Sequence, residues 1–185
     1  MKIDQNIKDT IKASVVIVTV IILIVSGIEI YNAVTYNEAE ESYGFLKLAQ
    51  TLHNDLDDNE VRDNFHNLFT NISYNQIRNP KEIDSSLNTG LRLMRDYKER
   101  YYSLYSPTEE MRAIKESLVD EGSLFLSSYS YLRKSWESKN NNDYDAYLLN
   151  IEQAVQYFND AMDLRVQNGE ELSQWKMKIE AELSN

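Results

Sequence analysis

An all-α fold is predicted by three features of the sequence: few chain breakers, apolar residues at helical spacing, and two matching helix-start signals. Five Gly and two Pro in 185 residues leave too little turn punctuation for a many-stranded sandwich or barrel. Both prolines sit in one local pattern, Asn79-Pro80-Lys81-Glu82 and Ser106-Pro107-Thr108-Glu109. In each, Asn or Ser can cap an orphan backbone N–H, Pro fills the first helical position, and Glu reaches back to complete a capping box. The full architecture expected is a single N-terminal transmembrane helix followed by an antiparallel four-helix bundle, or five helices if one break is a true turn.

The N-terminus is the most hydrophobic part of the chain. Residues 13–28 form 16 consecutive positions without a charge, rich in Val and Ile and flanked by Lys12 and Glu29. Ile11 and Ile30 lengthen the stretch toward the ~20 helical residues that a hydrocarbon core requires, and Lys12 can snorkel from its inner end. Three segments follow: 1–12 cytoplasmic, 13–35 a signal-anchor helix, 36–185 an extracytoplasmic helical-bundle domain. Orientation rests on Lys2, Lys8 and Lys12 before the segment, with no further basic residue until Lys47. A cleaved signal peptide, with small residues at Val25, Ser26 and Gly27, and a buried core helix are the competing readings.

Two apolar stripes lie between the anchor and Asn79: Phe45, Ala49, Leu52, Leu56, then Val61, Phe65, Leu68, Ile72. At ~100° per residue their mean directions differ by about 160°, so a single straight helix would turn one of them to water. A change is therefore expected near Asp57-Asp58-Asn59-Glu60. Without Gly or Pro, a kinked or interrupted helix is favoured over a full reversal, and Asp57 with Glu60 is the candidate capping box.

From Pro80, the stripe Ile83, Leu87, Leu91, Met94, Tyr101, Leu104 predicts a helix to about Tyr105. The next helix, from Pro107, carries Met111, Ile114, Leu118, Phe125, Leu132 and Trp136 and ends in the turn-rich run 139–142. A last helix starts near Asp143 with Leu148, Ile151, Val155, Phe158 and Met162 in the 3/4 alternation of a bundle seam. Asn168-Gly169 is a point where it can bend. Beyond it, Leu172, Trp175, Ile179 and Leu183 resume the stripe, and in a four-helix arrangement this tail outruns the preceding helix and packs along the first one.

Charge and composition exclude several functions. The formal net charge is −11 and the first 29 residues cancel, so the acidity belongs to the bundle. Such a field repels phosphate backbones and anionic headgroups, which argues against nucleic-acid binding. With no Cys, disulfides, thiol catalysis and Cys-ligated zinc are impossible. Asp63-x-x-His66 has the spacing used in dimetal bundles, but those need two such motifs and the chain has one, so no metal and no cofactor are expected. Two histidines and no glycine-rich phosphate loop leave little for catalysis.

Thirteen tyrosines are more suggestive. Tyr97, Tyr101, Tyr102 and Tyr105, Tyr129 and Tyr131, and Tyr144 and Tyr147 form the candidate ligand or partner surface, since tyrosine offers a rigid ring and a polar tip. Ordinary boundary packing, ring buried and hydroxyl wet, is the plainer reading. Asn71-Ile72-Ser73 matches a glycosylation acceptor, although Ile72 also belongs to an apolar stripe. Span plus bundle is superficially similar to chemoreceptor sensor domains, which lie between two spans; with no second span here, a self-contained receptor is not expected. The function expected is a non-catalytic, membrane-anchored envelope protein whose acidic bundle contacts another protein as accessory subunit, adaptor or exclusion/immunity-type factor. The alternative is an extracytoplasmic ligand-binding module using the tyrosine-rich end.

Overall fold

A computed structural model describes residues 34–56, 58–74 and 79–184, all of whose regular structure is α-helical. The expected cytoplasmic segment 1–12 and all but the last two residues of the expected membrane segment 13–35 lie outside the described residues. No helix among the described residues is long and apolar enough to cross a membrane. Two compact units divide the chain between Glu41 and Ser42. The described part of the first, 34–41, is helical, and the second holds the bundle. The helices are α1 (34–55), α2 (Asp58–Ser73), α3 (Pro80–Tyr102), α4 (Glu109–Asn140) and α5 (Tyr144–Leu183).

The break between α1 and α2 changes face without reversing direction. Along α5, partners of the first two helices fall in strict antiparallel order. Tyr43 Oη donates to Glu180 at 3.2 Å, Lys176 Nζ to Gln50 at 3.2 Å, and Arg165 Nη2 to the Leu56 carbonyl at 2.5 Å. Farther along, Phe65 stacks on Phe158 with centroids 4.0 Å apart, and Tyr147 Oη reaches the Ser73 carbonyl at 3.5 Å. Thus α1 and α2 form one interrupted rod, and with α3, α4 and α5 it makes four layers. Both stripes of that rod reach the core: Phe45, Ala49 and Leu56 are buried, as are Val61, Phe65, Leu68 and Ile72. The interruption satisfies two apolar faces that one straight helix cannot. Asp57, half of the expected capping box, lies outside the described residues.

The α4 stripe is entirely buried, from Met111 to Trp136. Two glycines let α3 and α4 approach closely. A Cβ on Gly90 would strike the Tyr129 ring, and one on Gly122 would lie 2.9 Å from Lys98 Cβ. The α4–α5 seam is the most extensive in the bundle, whereas α2 touches α3 and α4 more lightly.

Helix starts agree with expectation at two of three places. Asn79 Oδ1 accepts from Lys81 N at 3.1 Å with Pro80 in the first turn, and Asp143 accepts from Ala146 N at 3.1 Å. Glu82 meets the Asn79 side chain rather than its backbone, at 3.2 Å. At the other proline the cap is Thr108, not Ser106: its hydroxyl accepts from Met111 N at 3.2 Å and the helix opens at Glu109. Thr108 is extended, and the cap it forms brings Met111 into the core with two glutamates in the positive first turn. The third helix stops at Tyr102 rather than Tyr105, capped by Ser103. Asn141-Asn142 turns the chain into α5, with Asn142 in the left-handed region at φ 59°.

The last helix runs unbroken through Gly169 for 40 residues. Its core face differs from the predicted seam. Of the predicted seam, Phe158 and Met162 are buried, together with Ala154, Ala161, Arg165, Asn168, Leu172 and Ile179, while Leu148 is 59% exposed and Ile151 and Val155 are half-buried. Ala154 and Ala161 present no bulk to α4, so the helix settles on its small-residue face. This rotates the Leu148–Met162 stripe roughly a quarter-turn toward α2.

Candidate functional site

The eight tyrosines singled out in the sequence do not gather in one place. Tyr97 and Tyr101 are buried in the last two turns of α3 with hydroxyls 2.8 Å apart. Tyr129 is buried against Gly90 and donates to Asn64 at 3.2 Å. Tyr131 stacks on Tyr157 across the α4–α5 seam at 5.4 Å. Tyr102 and Tyr105 are exposed at the α3–α4 corner, and Tyr144 and Tyr147 lie at the α4–α5 corner. Because α4 is 32 residues long, those corners are ~48 Å apart at 1.5 Å per residue. Asn71 is half-buried in the last turn of α2, beside the fully buried Ile72.

What Tyr97 and Tyr101 join is a buried polar cluster that periodicity alone does not reveal. Arg165, 3% exposed, and Glu121, fully buried, form an ion pair at 2.9 Å. Glu121 also accepts from Tyr97 Oη at 2.9 Å and from Asn168 Nδ2 at 2.8 Å, and His53 Nδ1 lies 3.8 Å from its second oxygen. Asn168 in turn accepts from Ser117 at 2.6 Å. Burial pushes the Glu121 carboxyl above its ordinary range, opposed by the hydrogen bonds from Asn168, Tyr97 and Arg165 and by the Arg165 charge. Burial likewise raises the Tyr97 and Tyr101 phenols, keeping both as hydrogen-bond donors.

Arg165 ties this cluster to the helix break. Its Nη1 donates to Tyr97 Oη at 2.6 Å, and its Nη2 donates to the carbonyls of His53 and Leu56, each at 2.5 Å. Those are among the carbonyls that an α-helix leaves without partners at its C-terminus. One guanidinium thus caps α1 and holds it against α3, α4 and α5. The signal that could have revealed the pair is a gap in two stripes. In α4 the slot between Leu118 and Phe125 holds Glu121, and in α5 the slot between Phe158 and Leu172 holds Arg165.

Beyond the break, α2 and α5 leave a cleft of about 640 Å³. Phe65, Phe69, Val155, Phe158 and Met162 form its apolar floor. Arg62 and His66 from α2 stand on one rim and Asn159 and Asp163 from α5 on the other. Arg62 and Asp163 form no ion pair with each other among the described residues. His66 of the Asp63-x-x-His66 spacing therefore belongs to this rim. No group of three or more His, Asp or Glu side chains disposed to hold a metal occurs among the described residues.

The cleft is continuous with exposed apolar surface along α5. Tyr144, Leu148, Ile151, Val155, Met162 and Val166 lie within a narrow arc of the helix. Tyr144, Leu148 and Val166 are each more than half exposed. From Tyr144 to Val166 the arc takes 22 residue steps, ~33 Å at 1.5 Å per residue. Among models of protein families, curated proteins and solved structures, none matches this chain.

Proposed function

We propose that this is a non-catalytic, membrane-anchored protein whose acidic extracytoplasmic bundle binds another protein through the α2–α5 face. The observation that carries the reading is the apolar arc from Tyr144 to Val166, which extends beyond both ends of the cleft. A surface that long and narrow suits a helical partner laid in a groove better than a compact ligand. The anchor is the segment 13–35, uncharged from 13 to 28, with the lysines before it holding the N-terminus inside. Affinity purification of the tagged full chain from detergent-solubilised native membranes tests the binding. Leu148→Lys, at a position already exposed, should release the co-purifying protein while leaving the helical circular-dichroism signal unchanged. Retention of the same protein by the variant would count against this face.

A second reading, a small amphiphilic ligand in the cleft, is favoured by its size and by polar groups converging on an aromatic floor. Native mass spectrometry of protein from its own membranes should then show a bound mass that Phe69→Trp, by filling the cleft, removes.

A further inference from the structure

Resting on the partner-binding reading, we propose that the partner is a second copy of this chain. Two copies pair about a two-fold axis parallel to their α5 helices, each α5 lying in the α2–α5 groove of the other. Three observations carry this. The first is spacing: Leu148, Ile151, Val155, Phe158 and Met162 recur at 3, 4, 3 and 4 residues, the a/d rhythm by which two helices interlock, yet within one copy Leu148 stays 59% exposed and Ile151 and Val155 only half-buried. The second is sign: one wall of the groove carries the cation Arg62 and the other the anion Asp163. A two-fold operation places each wall against its opposite, the self-complementarity that an isologous interface requires.

The third observation is height. The Phe65–Phe158 stack sets the register of α2 against α5. Three residues back from Phe65 is Arg62, and in the antiparallel sense this falls level with residue 161 of α5, within one turn of Asp163. In a parallel pair equal heights meet, so Arg62 faces Asp163 of the other copy on both sides of the two-fold axis. An antiparallel pair centred on Val155 would separate them by many residues. Parallel pairing also suits two chains anchored by their N-termini in one bilayer.

The chain contains no cysteine, so single cysteines report on single positions. Leu148→Cys, Val155→Cys and, on the opposite side of α5, Glu171→Cys are each introduced into the full chain in native membranes and oxidised. Disulfide-linked species of twice the chain mass are expected at Leu148 and Val155 at least five-fold above Glu171. Arg62→Asp or Asp163→Arg alone should lower the Val155→Cys dimer several-fold, and the two together should restore it. Equal yields at all three positions overturn the proposal. A dimer at Val155 without one at Leu148 overturns the parallel arrangement. A cross-link from Val155 to a different protein removes the second copy while leaving the partner-binding reading intact; absence of any species of twice the chain mass also removes the second copy, and co-purification with and without Leu148→Lys then decides the partner-binding reading.

Discussion

Arg165 donates to Glu121, to Tyr97 and to two carbonyls at the end of α1, so its loss strips four acceptors inside the bundle at once. Arg165→Met should destabilise by about 3–5 kcal/mol, the cost of leaving one member of a buried pair uncompensated. Chemical denaturation checks this, and a loss confined to the α1–α2 region would appear as fast hydrogen exchange there. Glu121 gives a pH signature. Its carboxyl is raised by burial, so its contribution to stability is full below the ordinary carboxylate range and declines as pH rises through the folded value. Measured from about pH 4 upward, Glu121→Gln should therefore gain on the wild type as pH rises, because the amide mimics the protonated acid. A steady loss instead would show that the Arg165 charge outweighs desolvation. Neither residue stands out in the sequence, because a polar residue in a stripe reads as a gap until the matching gap on another helix is known.

Helix starts and stripes were largely legible, because capping and periodicity are local. Two prolines with the same flanking pattern implied the same geometry, yet only Asn79 caps from the residue before proline. At the second site Thr108 competes, and tertiary packing of Met111 decides for it. Thr108→Ala should cost about 0.5–2 kcal/mol and Ser106→Ala less than about 0.5, compared by thermal unfolding. The α4 stripe was legible in full, and Leu118→Ala should cost about 2–5 kcal/mol for the cavity it leaves. Phe158→Ala should cost about 3–5 kcal/mol, since its ring stacks on Phe65 and edges Phe125. The first part of the α5 stripe, Leu148 to Val155, is where periodicity misled. Leu148 and Val155 have the right spacing, but Ala154 and Ala161 allow the closer approach to α4, and periodicity ranks large apolar residues above small ones.

Four rods running alternately, with the first interrupted, bring the end of α5 beside the part of α1 that begins at Ser42, as the bonds from Tyr43 to Glu180 and Lys176 to Gln50 record. With 40 residues against 32, α5 outlasts α4 and its tail finds cover on α1, burying Ile179. Beyond the bundle, the proposed anchor predicts that the full chain stays in the membrane fraction after alkaline carbonate washing. Protease added to spheroplasts should digest the bundle; complete protection, or a mature chain beginning near Ile28 by mass spectrometry, would overturn the topology. The sequence by itself determined the helical class, the interruption near Asp57 and most helix ends, since each follows from backbone propensity and from which side of one helix is apolar. Only the tertiary structure decided that Arg165 and Glu121, 44 residues apart, meet, that the tyrosines disperse, and that one flank of α5 faces an open groove. Those outcomes depend on the rotation and height of one helix against another, which are set by the sizes of side chains across the seam and written in no single stripe.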